Sequence, residues 1–351
     1  MGGKSQIYAV AMSGGVDSSV VAAVIQKAGH GVFGITMDIH ENCIQDLEDA
    51  EKVCKKLGIP HYIIDVRTEY KKKVIDLFSG YYSKGLTPNP CALCNRDLKL
   101  NLLVDFIRDK GADFMATGHY AKLRIDDERV ILSEAANLKK DQSYFVSLAP
   151  KDKLKFVRFP LGDIQTKDET RKIAAEFQLP NSKKEDSQDI CFIRKKDYRE
   201  FLNSLIDNSN KKRGEIRFLK TGEVIGQHSG ITNYTVGQRK GLGISHEKPL
   251  YVVKINPENN NLVVGEKKDL DTRSFSLFDT NWLVDPKSEI EVFVKLRSFG
   301  KKSKALVTQN EKSVVVKLLE QSLTPVTNGQ VCAIYDENNV VLGAGIILKL
   351  D

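Results

Sequence analysis

At 351 residues the chain exceeds what a single hydrophobic core ordinarily organises, so two or three domains are expected. Its 41% hydrophobic and 28% charged content is that of a folded globular protein, and no apolar run approaches the ~18 residues of a helical membrane span. Lys and Arg outnumber Asp and Glu by 53 to 46, a formal charge of +7, which suits a polyanionic partner without identifying one. Six cysteines in this length do not make a secreted disulfide scaffold, and a reducing cytoplasm is the expected setting.

Met1-Gly2-Gly3-Lys4-Ser5 leads into the first strand too soon for a signal or transit peptide. That strand is I-Y-A-V at 7–10, followed by A-M-S-G-G-V-D-S-S at 11–19 and a helix-like apolar stretch at 20–27. Strand, two glycines and helix set consecutive N–H groups and a helix N-terminus where an anion can sit. Gly14 and Gly15 let the backbone approach a phosphate where a Cβ would intervene. Ser13, Ser18 and Ser19 add hydroxyls, and Asp17 suits either a magnesium ion or the organisation of the loop. The string lacks the lysine of G-x-x-x-x-G-K-[ST], and its glycines are adjacent, unlike those of G-x-G-x-x-G. It resembles the pyrophosphate-binding loop of the ATP pyrophosphatases, which cleave ATP between its α and β phosphates to adenylate an oxygen. The loop implies ATP more sharply than it implies the acceptor.

A second strand at 31–38, an amphipathic helix at 45–57 and a third strand at 61–66 continue the alternation, which predicts a mostly parallel α/β sheet. Met37 falls on the carboxyl-end rim, where it either lines an adenine pocket or fills the core. Cys43 and Cys54 read as ordinary cysteines, and Lys71-Lys72-Lys73 as the solvated face of a helix at 69–84. In T-P-N-P-C-A-L-C-N-R (87–96), two prolines predict an extended lead-in to a helix beginning near Leu93. Cys91 and Cys94 would then sit near a helix N-terminus that favours thiolate. C-x-x-C serves as a redox dithiol, half a metal site or a nucleophile with a neighbour, unless the two thiols are unrelated. A fourth strand at 113–117 delivers Gly118-His119-Tyr120 to the rim, with His119 read as a ligand contact. Residues 122–134 form a charged hairpin turning at Asp126-Asp127.

Lys139 to Phe145 offers cation, carboxylate, amide and aromatic groups, a mixture suited to a nucleotide or RNA backbone and equally to a solvated helix start. A fifth strand at 156–159 and a helix at 167–177 follow. Cys191, flanked by Ile190, Phe192 and Ile193, is either buried and inert or, behind the polar run 185–189, a partner for the earlier C-x-x-C. Past residue 201 the texture changes. A polar linker at 208–213 precedes short strands at 214–219, 251–255 and 261–265, a small, mostly β middle domain. Within it V-G-Q-R-K-G-L-G (236–243) either wraps an RNA backbone or supplies turns. From Trp282, β segments at 290–296, 303–309, 313–318, 330–335 and 340–347 predict a small closed barrel, with Gly343-Ala344-Gly345 at a tight curve. The expected domains are 1–207, 208–280 and 281–351.

Together these stretches resemble the bacterial tRNA-specific 2-thiouridylase family along the whole chain. The matching strings are A-M-S-G-G-V-D-S-S, T-P-N-P-x-x-x-C-N, T-G-H-Y, K-D-Q-S-Y-F, D-S-Q-D-I-C-F, V-G-Q-R-K-G-L-G, G-Q-V and L-G-A-G-I-I. The resemblance implies an adenine-nucleotide α-hydrolase-like parallel sheet domain ahead of the two β domains. It implies ATP- and Mg2+-dependent 2-thiolation of wobble uridine 34 in tRNAs for Lys, Glu and Gln, with sulfur from a cysteine desulfurase or a sulfur-carrier protein. By motif, Ala11, Met12, Ser13, Gly14, Gly15, Val16, Asp17, Ser18, Met37 and Gly118 would contact ATP. Asn89, Pro90 and Cys91 would surround the target base, and His119, Lys140, Asp141, Gln142, Arg297, Ser298 and Gln330 would approach the tRNA. Cys94 would be the nucleophile or acid/base cysteine, Cys191 the persulfide carrier, and the two would pair as a disulfide after transfer. Many members carry aspartate where this chain has Cys91. Three cysteines (91, 94 and 191) therefore also admit a [4Fe–4S] cluster in place of the persulfide. Another adenylating synthetase or amidotransferase would leave the paired cysteines idle, and a non-enzymatic RNA-binding module would leave the ATP loop idle.

Overall fold

A computed structural model describes residues 5–40, 43–186, 190–193, 198–206, 212–311, 313–322 and 324–349. Residues 187–189 of the polar run before Cys191, and 208–211 of the expected linker, lie outside the described residues. Alternating apolar runs and amphipathic stretches give β1 (Ile7–Ala11), α1 (Val16–Lys27), β2 (Gly31–Asp38), α2 (Ile44–Leu57) and β3 (His61–Asp65). Helix α1 begins at Val16 rather than at 20, so the serine–glycine turn is the entire link between strand and helix.

The expected helix at 69–84 is built of α3 (Arg67–Tyr70), a π-helical turn (Lys71–Ile75) and α4 (Asp76–Ser83). Helix α5 (Pro90–Cys94) starts three residues before the expected Leu93. Asn89 caps it by accepting from the Ala92 N–H at 3.0 Å, and a proline at the first helical position forfeits no hydrogen bond. Both cysteines of C-x-x-C therefore lie on the helix itself. The chain runs on through a π-helical stretch (Asn95–Leu102) into α6 (Leu103–Asp109). Then come β4 (Phe114–Ala116), the hairpin β5 (Lys122–Asp126) and β6 (Arg129–Ser133), α7 (Ser143–Val146), α8 (Lys151–Leu154), β7 (Val157–Arg158), α9 (Lys167–Glu176) and α10 (Tyr198–Leu205).

Strands β3-β2-β1-β4-β7 form one parallel sheet, with Ala11 opposite Ile35 and Tyr8 opposite Phe114. The chain moves outward from β1 through β2 to β3, then crosses back to lay β4 on the other side of β1. Loops leaving β1 and β4 consequently diverge, opening a crevice at their carboxyl ends.

The middle domain is a four-stranded sheet of β8 (Gly214–Phe218), β9 (Val224–His228), β10 (Tyr251–Asn256) and β11 (Asn261–Gly265), in the order β10-β11-β8-β9. Its core comprises Ile216, Val252, Leu262 and Val264. The barrel closes through β12 (Ser274–Trp282), β13 (Glu289–Lys295), β14 (Ser303–Gln309), β15 (Val314–Leu318), β16 (Val331–Tyr335) and β17 (Val341–Lys349). Its first strand starts at Ser274, so the expected boundary at 281 falls inside β12. Phe275 and Leu277 of that strand point into the barrel with Val294, Val316 and Ile334.

Strand β16 is buried along its whole length because its two faces serve two cores. Cys332 and Ile334 fill the barrel, while Val331, Ala333 and Tyr335 join Ala9, Leu103 and Met115 of the sheet domain. Hydrogen bonds from Tyr144 Oη to the Val331 carbonyl (2.9 Å) and from Gln330 Nε2 to the Thr87 carbonyl (2.9 Å) fix the docking. Among the described residues no helix is long and apolar enough to cross a membrane.

Candidate active site

The loop after β1 is preorganised by its own hydroxyls. Ser18 Oγ accepts from the Ser13 N–H at 3.2 Å and donates to the Gly15 carbonyl, to which Ser19 Oγ also donates at 2.9 Å. Gly15 is the N-cap of α1 and has no side chain to offer, so the first-turn N–H groups face the crevice without a side-chain cap. Two glycines here are dictated by contact. Gly14 has φ +69°, and a Cβ on it would stand 2.5 Å from the Asp46 carbonyl oxygen. A Cβ on Gly118 would stand 2.8 Å from the Ser18 nitrogen and 2.9 Å from Asp17 Cβ. The turn after β4 thus packs closely on the backbone at the start of α1.

Charged groups beneath the loop are tied together. Asp17 Oδ1 accepts from Lys167 Nζ at 2.6 Å and from Tyr120 Oη at 2.9 Å. Lys167 also reaches Asp186 Oδ1 at 2.8 Å, while Lys140 takes Asp186 Oδ2 at 2.8 Å. Asn181 Nδ2 donates to the Gly14 carbonyl at 3.0 Å and Lys184 Nζ to the same oxygen at 3.3 Å. Lys184 is held in turn by Asp49 and Asp46. Burial opposes the Asp186 charge, and its bonds to Lys140 and Lys167 outweigh that, holding the carboxyl below its usual range.

A cavity of about 420 Å³ runs from this loop to the cysteines. Ala11, Met12, Ser13, Gly15, Val16, Asp17, Ser18, Met37 and Gly118 line it together with Cys94, Cys191, His119, Lys140 and Gln142. Cys94 and Cys191 share one apolar cluster with Tyr70 and Leu98. Tyr70 is buried, and its hydroxyl hydrogen-bonds Cys191 Sγ at 3.0 Å. All six cysteines are free thiols. The expected thiolate preference at the helix N-terminus is overturned by desolvation: burial pushes Cys94 up to about 12 and Cys91 up to about 11. Among the described residues no three His, Cys, Asp or Glu side chains are close enough together to hold a metal ion. As placed, Cys91, Cys94 and Cys191 do not form a cluster site.

Several sequence-predicted residues do not line the cavity. Asn89 caps α5, and Pro90 and Cys91 make its first turn. Asp141 is buried under the barrel, accepting from the Ala135 and Ser143 N–H groups and pairing with Lys295 at 3.4 Å. Gln330 holds the Thr87 and Pro88 carbonyls. Arg297 donates to Thr327 Oγ1 at 2.9 Å and to the Val236 carbonyl, joining barrel to middle domain, with Ser298 half-buried beside it. His119 Nδ1 and Thr117 Oγ1 are 2.7 Å apart, and burial, then the Lys99 charge, lowers the imidazole to about 3. Sequence reasoning missed Tyr70, Lys99, Lys167, Asn181 and Lys184. None of these carried a local sequence signal, Lys99 included, because its place depends on the π-helical stretch after Cys94.

The crevice at the sheet's switch point joins the glycine turn after β1 to two thiols, Cys94 and Cys191. Family models described as the tRNA methyl transferase HUP domain, the tRNA methyl transferase PRC-barrel domain and the aminomethyltransferase beta-barrel domain match residues 6–195, 199–266 and 272–347. The tRNA-specific 2-thiouridylase MnmA of Rickettsia conorii is 42% identical over 99% of this chain and 97% of its own. That of Rickettsia canadensis is 41% identical over 99% and 98%. Among solved structures, the NMN synthetase of Francisella tularensis aligns at 18% identity and a TM-score of 0.36, over 57% of this chain and 76% of that one. The chain belongs to the tRNA-specific 2-thiouridylase family of enzymes.

Proposed function

We propose that the enzyme uses ATP to replace the C2 oxygen of wobble uridine 34 with sulfur in tRNAs for Lys, Glu and Gln. The observation that carries this reading is the single cavity joining the loop after β1 to Cys94 and Cys191. The C2 oxygen is a poor leaving group until adenylated, and the uncapped α1 N-terminus is suited to the departing pyrophosphate. Asp17 is already engaged by Lys167 and Tyr120. Mg2+ in this reading arrives on the phosphates as part of the substrate, neutralising their charge. The target uridine leaves its loop stack to reach the cavity, a smaller cost than opening a duplex.

Sulfur reaches Cys191 as a persulfide from a cysteine desulfurase or a carrier protein. Its terminal sulfur attacks C2, the S–C2 bond forms, and the C2–O bond breaks as AMP leaves with the oxygen. The Cys94 thiolate then attacks Cys191 Sγ. A Cys94–Cys191 disulfide forms as the bond from Sγ to the transferred sulfur breaks, leaving thiouridine. A thiol reductant restores both cysteines. Burial holds the Cys94 thiol above its ordinary value, so its thiolate forms against that cost.

The test is thiolation of unmodified tRNA by the wild type and by Cys94→Ser and Cys191→Ser, with AMP and pyrophosphate measured in parallel. Both variants should lose thiouridine. Full-rate product from either sinks the site assignment, and wild-type product without AMP and pyrophosphate sinks the ATP reading.

A further inference from the structure

Lys99 is assigned no role by the family resemblance, yet it lines the same cavity as Cys94, Cys191 and His119. Its position depends on a departure from α-helical geometry. In an α-helix five residues turn about 500°, leaving residue 99 about 140° around the axis from Cys94. The stretch Asn95–Leu102 is π-helical, with i→i+5 hydrogen bonding that brings residue 99 back toward the side of residue 94. Leu100, with φ −104° and ψ 19°, marks the break directly behind it.

The surroundings of Lys99 differ from those of the other cavity lysines. Lys140 is paired with Asp186, and Lys184 with Asp46 and Asp49. Lys99 has no carboxylate within ion-pair distance among the described residues, and the groups coupled to its charge are the thiols of Cys94, Cys191 and Cys91 and the neutral ring of His119. Burial works against the ammonium, and negative charge on the three cysteine sulfurs, present when they are thiolates, outweighs it and raises the lysine above its ordinary value. A half-buried cation with no carboxylate partner among the described residues is costly to keep unless an anion visits it.

We propose that Lys99 is a catalytic residue of the sulfur-transfer half of the reaction, its ammonium holding the anionic sulfur as it passes from Cys191 to C2 and the Cys94 thiolate that follows. The inference rests on the thiolation reading. Lys99 neither gains nor loses a proton in the steps written above; it supplies fixed positive charge where two successive sulfur anions form. Adenylation is left to the loop after β1.

The test separates the two halves. Pyrophosphate–ATP exchange in the presence of tRNA reads adenylation, and single-turnover thiolation by enzyme preloaded with persulfide reads transfer. Lys99→Met should keep exchange within about threefold and slow transfer by about 100-fold, the scale of one lost charge-stabilising donor. Lys99→Arg should recover at least about tenfold of that loss by restoring the charge. Transfer by Lys99→Met within about threefold of wild type overturns the proposal, since no charge stabilisation is then lost. Exchange falling in step with transfer also overturns it, placing the lysine on the nucleotide. Lys99→Arg as slow as Lys99→Met reduces the role to packing. If Lys99→Met fails to fold, Lys99→Gln carries the same comparison. A wild type that makes AMP but no thiouridine fails the underlying reading, and this one with it.

Discussion

Asp141→Ala is expected to cost stability rather than tRNA affinity, against its placement by sequence among the tRNA contacts. Its side chain is 1% exposed and that of Lys295 is 10% exposed. Its oxygens accept from two backbone N–H groups at 3.1 Å and from Ser143 Oγ at 2.9 Å, with Lys295 Nζ at 3.4 Å. Truncation strands a buried ammonium, which typically costs about 3–5 kcal/mol. The two orphaned amides would add about 1–3 kcal/mol each if nothing relaxed. Local rearrangement and water will absorb part, so about 4 kcal/mol is a reasonable total. For a cooperative unit of this domain's size, that corresponds to a melting temperature lower by on the order of 10 °C. Adding Lys295→Met should recover about 1–2 kcal/mol, because removing both charges costs less than stranding one. Thermal unfolding reads the stability, and filter binding well below the transition reads the tRNA Kd. A variant that melts within about 2 °C of wild type yet binds tRNA about tenfold more weakly would put the carboxylate on the RNA and refute the argument.

Gly118→Ala should lower kcat/KM for ATP by about tenfold, since its Cβ would lie 2.8 Å from the Ser18 nitrogen and force the turn after β4 away from the start of α1. Unchanged pyrophosphate exchange would show that the site tolerates that separation. Tyr70→Phe removes the hydroxyl 3.0 Å from Cys191 Sγ and should slow sulfur transfer by about 3–10-fold with exchange intact; a change in exchange alone would contradict it. Burial, then Lys99, holds His119 down at about 3, whereas a free imidazole titrates near about 6.5. The unfolded chain binds the extra proton in that window, so stability falls as pH drops from about 6.5 toward 3. His119→Asn should flatten that stretch of the stability curve and leave the activity profile above pH 6 unaltered in shape; loss of an acid limb there would mean that the histidine titrates in the working enzyme.

What was legible in the sequence was local. The strand–glycine–helix unit at 7–27 could be read because β1, its turn and α1 are contiguous, and the parallel sheet followed from repeated units of that kind. Period-2 alternation located most barrel strands, but β12 begins with S-F-S-L at 274, ahead of the boundary expected at 281. Asp141 looked solvated because its partner, Lys295, is 154 residues away and comes to it only when the barrel docks. The π-helical stretch after Cys94 has no signature in a 3.6-residue pattern, so Lys99 could not be placed on the cavity side. The thiolate argument for Cys91 and Cys94 used the helix terminus alone. It failed because burial, which depends on the packed neighbours, is the larger effect.

The placement of Asp186 bears on how the two chemistries are held in register. It stands five residues before Cys191 and offers one oxygen to Lys167, which also grips Asp17 in the first turn of α1, and the other to Lys140. Asn181 and Lys184 on the same segment hold the Gly14 carbonyl. Asn181, Lys184 and Asp186 are therefore anchored around the glycine turn from two sides, by ion pairs that reach the start of α1 and by amide and ammonium groups at the Gly14 carbonyl. Most of these charges are half-buried or better, so their coupling is screened far less than that of surface pairs. A phosphate that reaches Lys140 must share that ammonium with Asp186 rather than meet a free cation. Lys99 is not a member of that run of carboxylates and lysines.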